Sequence, residues 1–145
     1  MYEKALQRAK QEKANISQKV GTLILFKTPQ ITDKIRKRWL FGKDPNGDII
    51  GTYRSSSYRA FKVVANSKAG GLVDLTLTGK LGNALTVRKK GSLGYEVFST
   101  DSKYNHIADK YGIENFNLSE EEQKELFDEI YLTVLDQYIN NVWLA

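Results

Sequence analysis

The chain has 145 residues, no cysteine, a formal net charge of +5, and 41% hydrophobic residues. That length fits one domain, residues 1–145, with enough apolar surface for a single core. The missing thiols exclude a disulfide frame, a thiolate metal site and a Cys nucleophile.

The charge is unevenly placed. Residues 1–60 carry 13 Lys/Arg against 5 Asp/Glu, whereas residues 101–145 carry 3 against 10. A basic front and an acidic tail predict attraction between subunits of a ring, or between the front and an acidic partner such as DNA. The first ten residues are charged and lack the apolar stretch of a secretion signal, and apolar runs such as Leu23 to Phe26 are too short for a bilayer. The expectation is a soluble chain made in a cytosol, with no membrane contact.

From the N-terminus, Tyr2, Leu6, Ala9, Lys13, Ile16, Val20 and Leu23 recur at steps of three and four, which places them on one stripe of a helix. Only Lys13 interrupts that stripe. So narrow a seam suits docking along a groove or a neighbouring helix, and Leu6, Ile16 and Val20 are its candidate subunit contacts. Gly21 and Thr28-Pro29 predict where the helix weakens or stops. Thr32 or Asp33 is expected to cap a short second helix through Trp39, so the N-terminal helices occupy residues 1–41.

That second helix carries Lys34, Arg36, Lys37 and Arg38 beside Trp39, the best candidates for sequence-independent DNA contact, because cations bind phosphates and an aromatic ring stacks on a base. The plainer reading of Trp39-Leu40-Phe41 is a core anchor. Asp44-Pro45-Asn46-Gly47 predicts a tight turn. Ile49 to Tyr53 reads as a short strand, Ser55-Ser56-Ser57 and Asn66 to Gly71 as loops. Val73 to Thr78 alternates apolar and polar residues as a half-buried strand does, and residues 85–99 read as an antiparallel hairpin turning at Lys90-Gly91-Ser92. The fold class expected is therefore α+β, with an antiparallel sheet from about residues 49–99 packed by N-terminal and C-terminal helices.

In the last third, residues 101–145, Asp101 is expected to cap a short helix ending near Tyr111-Gly112, and Ser119 with Glu122 forms a capping box. The final helix carries Leu126-Phe127, Ile130-Tyr131, Val134-Leu135, Tyr138-Ile139 and Val142-Trp143 four residues apart. Each such step overshoots a turn by about 40°, so the apolar stripe slides around the axis. The first pairs are expected to bury within the domain, and Tyr138, Val142 and Trp143 to meet either another helix of the same domain or another subunit.

Reacting groups are scarce. His106 is the only histidine and brings no evident partner for a metal or a triad. Glu120, Glu121 and Glu122 are consecutive at a helix start, which suits capping rather than chelation. Gly71 and Gly79-Lys80 miss the phosphate-loop spacing, and Leu81 stands where a Ser or Thr would hold magnesium. No catalytic role, metal or cofactor is expected.

Taken in order, Lys43-Asp44-Pro45-Asn46-Gly47-Asp48, a Ser-rich stretch, and Val73 to Leu85 with Thr78-Gly79-Lys80-Leu81 resemble the phage virion morphogenesis (tail completion) family. There a Pro-x-Gly turn precedes a Leu-x-x-Thr-Gly-x-Leu segment and a hairpin. The likeness runs over about residues 35–135, and Ile107 to Gly112 with Phe116 to Glu121 echo its downstream helix, loop and cap. The family's Pro-Ala-Arg-like element before the last helix is replaced by Asn115-Phe116-Asn117. The resemblance implies a non-enzymatic structural protein of the virion at the neck, head-tail connector or tail end. It would form a homo-oligomeric ring beside connector, tail or portal-associated proteins. The alternative from another class is a small basic DNA-binding protein acting through residues 34–39.

Overall fold

A computed structural model describes residues 1–76, 79–91 and 94–140. The protein is mixed α and β, with helices before and after a two-stranded antiparallel sheet. In chain order the elements are α1 (Tyr2–Phe26), α2 (Thr28–Leu40), α3 (Ser56–Ala65), α4 (Lys80–Asn83), β1 (Leu85–Lys90), β2 (Gly94–Ser99) and α5 (Tyr104–Tyr111). A 3₁₀ turn (Ile113–Phe116) and α6 (Glu120–Tyr138) follow. The chain falls into two compact units, one of residues 1–27 with 124–145, the other of residues 28–123.

The second unit holds a core built on α2. Ile31, Ile35 and Trp39 follow at i, i+4 and i+8, and all three are buried. Trp39 meets Phe116 edge to face with ring centroids 5.3 Å apart, and Phe116 meets Tyr104 in the same way at 4.7 Å. Ala69, Val73, Leu81, Leu85 and Ala108 complete the core. α2 begins four residues before the expected cap, because Pro29 sits in its first turn, where a missing N–H and a preset φ cost nothing. Thr32 is consequently a buried residue within the helix, its hydroxyl donating to the Pro29 carbonyl at 3.2 Å.

The turn at Asp44 forms as expected. Its carboxylate accepts from the Asn46 and Asp48 backbone N–H groups, both at 2.9 Å, and Gly47 takes φ +85°. The hairpin also forms, pairing Leu85 with Ser99 and Lys90 with Gly94 in register. On its outer face Arg88 lies 3.9 Å from the Phe98 ring centroid and 2.5 Å from Glu96, and the hydrogen bond from Arg88 holds the Glu96 carboxyl below the usual carboxylate range.

The sheet is narrower than the expected span of residues 49–99. Residues 49–53 contribute only isolated bridges, Lys43 to Ile49 and Thr52 to Leu72. Residues 73–76 are not a strand, and Leu77 and Thr78 lie outside the described residues. Two features prevent extension there: Leu75 takes φ +54°, and Asp74 and Val73, neighbours in sequence, are both buried. The serine run belongs to α3 rather than a loop, with the Ser55 hydroxyl capping it by accepting from the Tyr58 N–H at 3.2 Å.

Gly42 closes α2 at φ +66°, and a Cβ there would lie 3.0 Å from Leu72 Cβ and 3.1 Å from the Val73 carbonyl oxygen. Gly42→Ala should therefore lower stability by about 1–2 kcal/mol from backbone conformation alone, with crowding adding to it. A fall in urea midpoint at unchanged slope is the expected result; an unchanged midpoint would contradict the tight approach.

Candidate functional site

In the first unit α1 and α6 run antiparallel. Lys27, at the end of α1, is 3.3 Å from Glu129, and Gln137 shares a cleft with Asn15, Gln18 and Leu23. Residues 1–19 are all exposed; burial begins only with Val20, Gly21, Leu23 and Ile24. Leu6 and Ile16 are each 42% exposed, and Val20 is half-buried. A helix of 25 residues with its first five turns in water gains little from packing, and isolated helices of this kind are marginal.

The apolar pairs of α6 divide differently from the sequence expectation. Leu126 and Ile130 are buried, while their neighbours Phe127, Tyr131, Leu132, Leu135 and Ile139 are exposed. Consecutive helical residues point about 100° apart, so the division runs along the helix and not from one end to the other. Phe127 and Tyr131 stack with centroids 6.2 Å apart on this open face. Sequence reasoning weighted the later pairs and so missed Phe127 and Tyr131 as surface residues. Tyr138 ends α6, its side chain, Val142 and Trp143 lying outside the described residues.

In the second unit the basic cluster of α2 does not form one surface. The Arg38 guanidinium pairs with Glu122 and donates to the backbone oxygens of Asn115 at 2.9 Å and Asn117 at 2.7 Å. Trp39 is fully buried, its indole N–H donating to the Asn115 oxygen at 3.0 Å. Neither is placed to meet a phosphate or stack on a base. Lys34 and Arg36 are half-buried, and a Cβ on Gly82 would come within 3.2 Å of Arg36 Cγ. Lys37 is exposed and 2.9 Å from Asp33, whose carboxyl that hydrogen bond lowers. The Ser119–Glu122 capping box forms, its two bonds measuring 3.0 and 3.1 Å, so Glu122 serves the helix start and Arg38 together.

A buried ion pair was not foreseen. Lys62 Nζ is 2.7 Å from Asp74 Oδ1, with both side chains almost wholly enclosed. Asn66 Nδ2 donates to Asp74 Oδ2 and to the Leu40 oxygen, each at 2.8 Å, and the Thr76 N–H donates to Asp74 Oδ1 at 3.1 Å. Burial pushes the Asp74 carboxyl up, but the hydrogen bonds from Lys62, Asn66 and Thr76 outweigh it and hold the group below its ordinary range. A cavity of about 190 Å³ adjoins Asp74, lined also by Tyr53, Tyr58, Leu75, Leu81 and Tyr111 among others. Burial, then the Asp74 charge, pushes the Tyr53 hydroxyl up, so it stays protonated at neutral pH. A carboxylate held by Lys62, Asn66 and Thr76 makes a polar joint between α3 and the loop after it.

His106 is exposed on α5. Among the described residues, no group of three or more His, Cys, Asp or Glu is arranged to hold a metal ion, and no helix is long and apolar enough to cross a membrane. No family model, curated protein or solved structure matches the chain. What the geometry offers is surface: apolar side chains on two long helices, opposite in net charge. α1 carries Lys4, Arg8, Lys10, Lys13 and Lys19 against Glu3 and Glu12; α6 carries Glu120, Glu121, Glu122, Glu125, Asp128, Glu129 and Asp136 against Lys124.

Proposed function

We propose that this protein is a structural component of a tailed-phage particle, a neck, head-tail connector or tail-completion subunit that assembles with its own copies and with neighbouring virion proteins. The observation that carries the reading is the uncovered apolar surface of α1 and α6, which a subunit buries on assembly. The order of elements agrees with the resemblance noted in the sequence: a turn at residues 44–47, a Gly79-Lys80-Leu81 segment opening a short helix, a hairpin, and a capped final helix.

The reading predicts a stoichiometric place in the particle. Mass spectrometry of purified virions from cells producing this chain should detect it in constant ratio to the major tail or portal protein. Its absence from the particles would overturn the assignment. Contact with DNA through α2 is a weaker reading, since Arg38 and Trp39 are enclosed.

A further inference from the structure

The two uncovered helix faces differ in charge, and each carries one ion within its apolar stripe. On α1 the exposed stripe of Tyr2, Leu6, Ala9 and Ile16 is interrupted by Lys13. On α6 the exposed residues Phe127, Tyr131 and Leu135 advance by about 40° per step, and Asp128 falls between Leu135 and the exposed Leu132 in angle. Neither Lys13 nor Asp128 has a salt bridge among the described residues, and both are exposed.

We propose that the exposed half of α1 in one copy docks on the exposed face of α6 in a second copy, with Lys13 set against Asp128. This deepens the assembly reading above and rests on it.

Geometry excludes the same contact within one chain. Lys27 lies beside Glu129, so Lys13, fourteen residues earlier on α1, stands about 20 Å along the axis from that level. The antiparallel course of the pair carries the first half of α1 away from Asp128, not toward it.

Charge selects between the remaining contacts of two copies. An α1–α1 contact brings together two helices each rich in Lys and Arg, and an α6–α6 contact two helices each rich in Asp and Glu; both are repulsive. Only α1 on α6 joins opposite charges as well as apolar stripes. The contact is heterologous, using different surfaces on the two partners, and closes into a ring when the rotation between copies allows.

The test is a charge exchange on the full-length chain, with mass in solution followed by light scattering and sedimentation. Lys13→Asp and Asp128→Lys alter exposed positions, so both variants should retain the far-UV circular dichroism of the wild type. The wild type should self-associate, and each variant alone should do so roughly tenfold more weakly. The double variant, Lys13→Asp with Asp128→Lys in one chain, should recover wild-type assembly, because every α1–α6 junction in it again joins opposite charges. Asp128→Lys assembling as well as the wild type, or a double variant that stays dissociated, overturns this contact and leaves the assembly reading standing. A wild-type chain that remains monomeric overturns both.

Discussion

Replacing Asp74 with alanine should cost about 3–5 kcal/mol, because it leaves the enclosed Lys62 ammonium without its counter-charge. The loss is larger than a surface ion pair would give, since Lys62 and Asp74 are both nearly inaccessible and 2.7 Å apart. It also frees the Thr76 N–H, while Asn66 keeps its bond to the Leu40 oxygen. Replacing the pair together, Lys62→Met with Asp74→Leu, should recover most of the loss, because no buried charge then remains. The pair also sets an acid limit. The folded carboxyl lies below its unfolded value of about 3.9, so its stabilisation is complete above about pH 4 and is lost as pH falls through the lower folded value. Melting temperatures between pH 2 and pH 6 should show this decline in the wild type and a shallower one in Asp74→Asn. Identical slopes would refute the role given to the carboxylate.

The second large effect is expected at Trp39. Trp39→Ala should destabilise by about 3–5 kcal/mol, through a cavity where the indole meets Phe116 and a lost bond to the Asn115 oxygen. Arg38 still donates to that same oxygen, so the local backbone keeps one of its partners, and the penalty comes chiefly from unfilled volume. Trp39→Phe, which restores most of the ring, should return more than half of the loss in chemical denaturation. If both variants melt like the wild type, the core has been placed around the wrong residue.

The elements legible in the sequence were those whose signals are local. The Asp44 turn, the hairpin of residues 85–99, the Ser119–Glu122 box and the Tyr2-to-Leu23 seam each depend on residues within a few positions of one another. α3 escaped notice because its pattern is reversed: Lys62 is enclosed, while Phe61, Val63 and Val64 face outward. A lysine among apolar residues ordinarily marks the wet side, and only Asp74, twelve positions on, reverses that meaning. Arg38 was read as a phosphate contact for the same reason. Its partner Glu122 is 84 residues away, and no spacing rule links them. The strand expected at Val73 failed where Leu75 adopts a left-handed conformation, which alternation of hydrophobicity cannot reveal.

The reversed face of α3 has a thermal consequence. An element held mainly by oil-like contact loosens on cooling and exposes apolar area with a large gain in heat capacity. α3 is fastened instead by an ammonium, a carboxylate and an amide, with its largest apolar groups already wet. Releasing that polar fastening therefore adds little to the heat capacity gained on unfolding, and acid, acting through the carboxylate, is what opens this joint.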